Sequence, residues 1–210
     1  MGSGLVRVFT CEQNRLILQT KVPEAVLVTG QENEEETLLA EQLQWADAVV
    51  FGPGIGTGQR ARRMTSTVLE QCRVPLVLDA DALNIIADQP ELLEQAKADI
   101  ILTPHPGEMA RLSGMTTATV QANRKQCAAE FCKQFSGTLV LKGAGTIIQQ
   151  GTTAIQNPTG NPGMSRGGSG DVLAGMIAAF AAQGLSPYDA ACAGAYLHGL
   201  AGDFAAARYS

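Results

Sequence analysis

The chain has 210 residues, of which 45% are hydrophobic and 17% are charged, a composition that excludes a disordered protein and allows a sizeable core. Its formal net charge of −5 argues against nucleic acid as a partner. No apolar run is long enough to cross a bilayer and no signal-peptide pattern opens the sequence, so we expect a cytoplasmic protein without a membrane partner.

Short β-branched segments alternate with helical patterns along most of the chain. We predict strands over residues 5–9, 25–28, 48–51, 75–78, 100–102 and 138–141. Helices are predicted after a cap at Asn33 and over residues 58–72 and 118–135. Strands that alternate with helices predict an α/β fold with a mainly parallel sheet and helices on both faces.

The pattern changes after the last of these strands. Residues 146–150 and 152–156 resemble a hairpin, which predicts an antiparallel edge on the sheet. Two Ala-rich helices follow, one over residues 171–183 and one that begins after a cap at Ser186. Because no linker or internal repeat divides the sequence, we predict a single domain over residues 1–210.

A glycine-rich loop, FGPGIGTG, follows the third predicted strand. Gly54 and Gly56 lie in it, and its N–H groups suit either a phosphate cradle or a plain turn. The loop does not satisfy G-x-G-x-x-G from Gly52, because position 57, where the third glycine would stand, is Thr. Ligands bind where strands of an open α/β sheet end, and this position is therefore a candidate site.

Two further strand ends carry polar residues. In LTPHPGEMARL, His105 stands at a predicted helix start with Glu108 in the first turn, as either a surface cap or a site residue. In LDADALN, Asp79, Asp81 and Asn84 are placed where they can meet a ligand or Mg²⁺-bound water, although Asp81 suits a helix cap equally well.

The segment NPTGNPGMSRGGSGDVLAGM turns from a glycine-rich loop into an apolar helix. A helix start has unpaired N–H groups and a partial positive charge, and the glycines allow an anion to approach closely. Asp171 is then either a general base at the rim of an anion site or a dipole-stabilised cap, and the two roles are compatible. Arg166, just before the glycines, favours the anion site. Lys142, which follows the sixth strand, is a candidate phosphate contact.

Together these segments resemble the NAD(P)H-hydrate dehydratases, a family with a ribokinase-like fold and a three-layer sandwich of helices around a sheet. The similarity lies in six ordered motifs that cover most of the chain: GPGIG (52–56), LDADALN (78–84), TPHPGEMARL (103–112), LKGAGT (141–146), TGNPGMSRGGSGDVLAGMIAA (159–179) and AYLHGLAGD (195–203). The fifth motif separates this family from sugar kinases of the same fold, which share only the Gly-x-Gly-Asp core.

The resemblance implies repair of a damaged cofactor. The family phosphorylates the hydroxyl of NAD(P)H hydrate (NADHX or NADPHX) with ADP or ATP and Mg²⁺, and elimination of phosphate then restores NAD(P)H. The bacterial-looking short form favours ADP. The resemblance also implies a homo-oligomer and cooperation with a separate NAD(P)H-hydrate epimerase.

The family's site residues carry over to matching positions. The resemblance implies that Asp171 activates the hydrate hydroxyl. The implied anion hole is formed by Gly168, Ser169 and Gly170. The implied hydrate contacts are Gly54, Gly56, His105 and Asp171. The implied nucleotide contacts are Lys142, Gly143, Ala144, Gly145, Thr146 and Gly170. Glu108 occupies the acidic position that organises Mg²⁺ and phosphate in kinases of this fold.

The chain departs from the family pattern at its ends. The family has a strand, a Gly-rich turn and a helix before GSGLVRV, and a helix after ARYS, so we expect a truncated member. Two alternatives stay open: a small-molecule (vitamin or sugar) kinase of the same fold, and a nucleotide-binding remnant without turnover.

Overall fold

The strands form two sheets in residues 2–30 and 34–209, the part of the chain that a computed structural model describes. The first sheet is a parallel pair, β1 (Arg7–Cys11) with β2 (Val26–Gly30). The second has six strands in chain order: β3 (Val49–Phe51), β4 (Leu76–Leu78), β5 (Ile100–Leu102), β6 (Thr138–Leu141), β7 (Ile147–Gln150) and β8 (Thr153–Gln156). Strands β3 to β6 are parallel, whereas β7 and β8 form an antiparallel hairpin at one edge.

Helices connect most of the strands. They are α1 (Arg15–Lys21), α2 (Glu35–Trp45), α3 (Gln59–Gln71), α4 (Asp81–Asp88), α5 (Pro106–Ser113), α6 (Thr117–Ala122), α7 (Arg124–Phe131), α8 (Ser169–Ala182) and α9 (Pro187–Tyr209). Within residues 2–30 and 34–209, none of these helices combines the length and the hydropathy that a membrane crossing requires.

Successive side chains of the central strands point to opposite faces of the sheet, as a period of two requires. Leu76 and Leu78 of β4 pack into a core with helices α2 to α7, whereas Val77 packs into a second core with α8 and α9. Strands buried on both faces explain the continuous apolar runs in the sequence. The predicted α/β architecture, with helices on both faces and an antiparallel edge hairpin, is confirmed.

Several predicted boundaries move. The first strand begins at Arg7 rather than at residue 5. The helix predicted over residues 118–135 is two helices, because Asn123 leaves the helical conformation at φ −134° and ψ 40°. The predicted cap Asn33 lies outside the described residues.

Helix α8 begins two residues earlier than expected. Gly168 adopts a left-handed conformation, with φ +83°, and serves as its N-cap, so the helix starts at Ser169. Asp171 therefore lies in the first turn and is not itself the cap. The predicted cap Ser186 is confirmed at the start of α9, where its hydroxyl accepts a hydrogen bond from the Asp189 N–H at 3.2 Å.

Candidate active site

The parallel strands β4, β5 and β6 bring their carboxyl ends to one edge of the sheet. Asp79 follows β4, His105 stands two residues beyond Thr103 after β5, and Lys142 follows β6. The backbone ties the last two loops together, because the Lys142 N–H donates to the Pro104 carbonyl oxygen at 2.8 Å. Residues far apart in sequence thus meet where an open α/β sheet binds its ligands.

Lys142 lies between two buried carboxylates. Its Nζ is 2.8 Å from Asp79 Oδ1 and 3.9 Å from Glu108 Oε2. The Lys142 side chain is 17% exposed, and the two acidic side chains are 2% and 6% exposed. Loss of one partner from such a pair leaves an uncompensated charge, at a cost of about 3–5 kcal/mol. The ammonium group is therefore held in place before any ligand arrives.

His105 caps α5 and binds Glu108. Its Nδ1 accepts hydrogen bonds from the N–H groups of Gly107 and Glu108 at 2.9 and 3.3 Å, while Glu108 Oε2 accepts from the His105 N–H at 2.7 Å. Because Nδ1 is an acceptor, the proton of the neutral ring lies on Nε2, which is 3.4 Å from Glu108 Oε1. The imidazole is about half exposed, so it is a rigid cap with one face open to a ligand.

The loop after β3 is tied to the loop after β4. Gly52, at φ +127°, passes so close to the Asp79 carbonyl oxygen that a side chain would clash with it. The Gly56 N–H donates to Asp81 Oδ2 at 2.8 Å, so the Asp81 carboxylate holds this loop rather than capping α4. Methyl groups added at Gly54 and Gly56 would meet open space.

Ala80 stands between the two aspartates in a strained conformation. Its φ of +52° and ψ of −118° are unfavourable for any residue with a Cβ atom. Its N–H donates to Asp79 Oδ1 at 2.9 Å. This bend between β4 and α4 directs one carboxylate to Lys142 and the next to Gly56.

The start of α8 presents free backbone donors. Among the described residues, the N–H groups of Gly168, Gly170 and Asp171 have no acceptor, as expected for a first helical turn. The Ser169 N–H, by contrast, donates to the Arg166 carbonyl oxygen at 3.2 Å and closes the turn. The donors without an acceptor are thus Gly168, Gly170 and Asp171, whereas the predicted anion hole comprised Gly168, Ser169 and Gly170, and its role stays a prediction.

Asp171 and Gly170 face different surroundings. The Asp171 side chain is exposed and makes no hydrogen bond or ion pair within residues 2–30 and 34–209. A methyl group added at Gly170 would lie 3.2 Å from Lys142 Nζ and 3.6 Å from Asp79 Oδ2. The helix start therefore lies directly against the Lys142 cluster, with its carboxylate open to solvent.

Helix α9 fixes the loop that leads to α8. The Gly160 N–H donates to Asp203 Oδ2 at 2.9 Å, and Asn161 Nδ2 donates to Asp203 Oδ1 at 3.0 Å. The hydrogen bond from Asn161, and to a smaller extent that from Gly160, lowers the pKa of the Asp203 carboxyl. His198, whose pKa is lowered by burial, places Nε2 3.4 Å from Ser169 Oγ. His198 and Asp203 lie in the motif AYLHGLAGD, from which their contacts could not be predicted.

Most of the predicted site residues are linked by contacts. Asp81 joins Gly56 to the Asp79 turn, Asp79 and Lys142 lie against Gly170, and Glu108 joins Lys142 to His105. The loop 143–146 continues directly from Lys142, with Ala144 exposed. In the described part of the chain, no hydrogen bond or ion pair joins the Asp171 side chain to the other predicted residues, and that side chain is exposed.

The donor set bears on the Mg²⁺ that the sequence predicts. No group of three or more His, Cys, Asp or Glu side chains that could hold a metal ion occurs in the described part of the chain. Mg²⁺ is usually bound by one or two carboxylates together with substrate phosphates. The neighbouring Asp79 and Glu108 carboxylates fit that partial role, and a nucleotide would have to supply the remaining oxygens.

Similarity to known proteins extends over the whole chain. The profile of one protein family, described as NAD(P)H-hydrate dehydratase, matches residues 1–210. The bifunctional NAD(P)H-hydrate repair enzyme of Escherichia coli is 44% identical over 211 residues, which is 99% of this chain and 39% of that protein. The ADP-dependent (S)-NAD(P)H-hydrate dehydratase of Neisseria meningitidis is 46% identical over 161 residues, which is 75% of this chain and 54% of that protein.

The fold has solved counterparts. The ADP/ATP-dependent NAD(P)H-hydrate dehydratase of Bacillus subtilis, co-crystallised with ATP and Mg²⁺, superposes with a TM-score of 0.84 at 29% identity. The match covers 100% of this chain and 73% of that one. The chain thus spans about two fifths to one half of the length of the curated relatives named above.

Proposed function

The chain belongs to the NAD(P)H-hydrate dehydratase family, and we propose on that premise that it converts (S)-NAD(P)H hydrate back to NAD(P)H with ADP as the phosphate donor. The observation that carries this proposal is the unpaired N–H set of Gly168, Gly170 and Asp171 directly against Lys142. Backbone donors and a fixed cation stabilise the charge that develops on a transferred phosphoryl group.

Asp171 acts as the general base in this proposal. Its exposed, unpaired carboxylate takes the proton of the hydrate hydroxyl while that oxygen bonds to the β-phosphorus of ADP and the bond to AMP breaks. The phosphate ester then loses phosphate with the electrons of the carbon–oxygen bond, and the neighbouring ring carbon loses a proton. The products are NAD(P)H, AMP and phosphate, so atoms and charge balance.

The remaining residues bind and orient the reactants. His105 and the open loop at Gly54 and Gly56 lie beside the cluster and would contact the hydrate. The loop 143–146 and Gly170 would contact the adenine nucleotide. Asp79 and Glu108 would hold Mg²⁺ with the nucleotide phosphates, and the metal supplies charge neutralisation when it is bound.

Recovery of NADH tests the proposal. The purified chain is given (S)-NADH hydrate, Mg²⁺ and either ADP or ATP, and the NADH absorbance is followed. We expect recovery with ADP, loss of turnover by a factor of about 100 or more in Asp171→Asn, and no change in Asp47→Asn, an exposed isosteric control. No recovery with either nucleotide would refute the assignment for this chain.

Two further measurements, nucleotide consumption with a hydroxyl substrate and thermal unfolding with AMP or ADP, separate the two alternatives. A small-molecule kinase would consume nucleotide with a hydroxyl substrate and release no NADH. A nucleotide-binding remnant would bind AMP or ADP, and so resist thermal unfolding, without any turnover. Assembly into a homo-oligomer and cooperation with a separate NAD(P)H-hydrate epimerase stay predictions.

A further inference from the structure

Arg124 binds the back of the predicted nucleotide loop. The residue opens α7 and is half-buried, and its guanidinium donates to three carbonyl oxygens of one short segment. Nη1 is 2.5 Å from the Ala144 oxygen, and Nη2 is 2.9 Å from the Leu141 oxygen and 3.2 Å from the Gly145 oxygen. A planar fork of donors suits three such acceptors, and a lysine ammonium could not reach them all in this arrangement.

The loop is shaped to fit this guanidinium. Gly143 has a φ of +137°, and a methyl group added there would lie 3.1 Å from Arg124 Cζ. Gly145 has a φ of +61° and passes so close to the Gln156 side chain that an added methyl would clash. The two glycines therefore let the chain pass between Arg124 and Gln156.

Peptide geometry fixes what the other side of the loop presents. In a trans peptide the N–H points opposite to the C=O of the same unit. Because the carbonyls of Ala144 and Gly145 point at Arg124, the N–H groups of Gly145 and Thr146 point away from it. Neither N–H has an acceptor among the described residues.

Arg124 has no carboxylate partner to balance its charge. No ion pair involves it within residues 2–30 and 34–209, and its Nε is buried without a hydrogen-bond partner. Burying a charge that faces only carbonyl oxygens is costly. We therefore expect the half-buried Arg124 guanidinium to have a role in orienting the three carbonyl groups that it contacts.

We propose that Arg124 is the positioning residue of the nucleotide loop, which holds the carbonyls of Leu141, Ala144 and Gly145 inward so that the Gly145 and Thr146 N–H groups face the adenine nucleotide. The inference rests on the proposed function, since it takes the loop to bind ADP. Arg124 itself touches only protein and acts through the loop.

Nucleotide titration calorimetry on the full chain tests the inference without turnover. Arg124→Met should raise the Kd for ADP about ten-fold or more, and Arg124→Lys should raise it to a smaller extent. Lys125→Met, the exposed neighbour on the same helix, should bind ADP like the wild type. In steady-state kinetics the KM for the nucleotide should rise while the KM for the hydrate stays unchanged.

Chemical rescue distinguishes positioning from general damage. Ethylguanidinium should restore part of the ADP affinity of Arg124→Ala, which leaves room for it, whereas ethylammonium at the same concentration should not, because only the planar fork reproduces the three contacts. If Arg124→Met does not fold, Arg124→Lys decides alone, and wild-type affinity in this variant overturns the inference.

The failures of the two proposals can be told apart. Wild-type ADP affinity in a folded Arg124→Met variant overturns the role of Arg124 and leaves the dehydratase assignment standing. Absence of ADP binding in the wild type overturns the proposed function and this inference with it. Equal increases in both KM values would show a merely structural role and overturn the inference.

Discussion

Replacement of Gly170 by alanine should separate activity from stability. Gly170 lies in the first turn of α8, where alanine is favoured over glycine by up to about 1 kcal/mol. The added methyl would lie 3.2 Å from Lys142 Nζ and 3.6 Å from Asp79 Oδ2, so part of this gain is lost against the Lys142–Asp79 ion pair. We expect the free energy of unfolding to rise by about 0–1 kcal/mol and Tm to rise by about 0–4 °C.

The same methyl should nearly abolish turnover. It would fill the space between the Gly170 N–H and Lys142 Nζ, where the transferred phosphoryl group is proposed to lie. Loss of one preorganised donor to such a group reduces kcat by about 100- to 1,000-fold. We therefore expect kcat/KM to fall by at least about 100-fold in a protein that is as stable as the wild type or more so.

Gly175 provides the matched control. It lies in the same helix, and a methyl group added there would meet open space. Gly175→Ala should gain a similar stability without loss of activity, as measured by urea unfolding and by NADH recovery. Full activity in Gly170→Ala would refute the placement of the phosphoryl group, and a loss of stability above about 1 kcal/mol would refute the packing described for α8.

Two further predictions concern the loops that frame the site. Gly52→Ala forces a Cβ into the Asp79 carbonyl at a positive φ, so urea unfolding should show a loss of about 3 kcal/mol or more; a smaller loss would contradict the close approach. Hydrogen bonds from Asn161 and Gly160 lower the pKa of Asp203 below its ordinary 3.8, so its carboxylate stabilises the fold above that pH and the contribution is lost as pH falls through the lowered value. The difference in free energy of unfolding between the wild type and Asp203→Ala should be constant down to about pH 4 and should decrease below it. A difference that does not change with pH would contradict this account.

Local patterns in the sequence predicted much of the fold. The strands β5 and β6 begin and end where the apolar runs do, because strands buried on both faces have no polar alternation that could blur their limits. Gly168 marked the start of α8 for a local reason, since its left-handed backbone conformation favours glycine. The start moved to Ser169 because the cap is a left-handed glycine rather than an acid.

Contacts between distant segments could not be predicted in this way. The ion pair of Lys142 with Asp79 joins residues 63 apart in the sequence, and no local sequence feature at either residue indicates its partner. Arg124 was hidden within a predicted continuous helix, because no Gly or Pro marks the break at Asn123. The contacts of Asp203 depend on the position of α9 over the loop and not on its own helix.

The placement of charge bears on how an acidic chain would attract phosphate in the proposed function. The Lys142 ammonium is already offset by Asp79 and Glu108, so the cluster carries a net negative charge and cannot by itself draw in an anion. In the proposed site, the attraction that the protein itself supplies comes from the unpaired N–H groups at the start of α8 and the exposed Arg166 beside them, and Mg²⁺ would add to it when bound. Dipoles act only at short range, so affinity depends on how closely an anion can approach the backbone. This requirement accounts for glycines, rather than further lysines, in the most specific motif of the sequence.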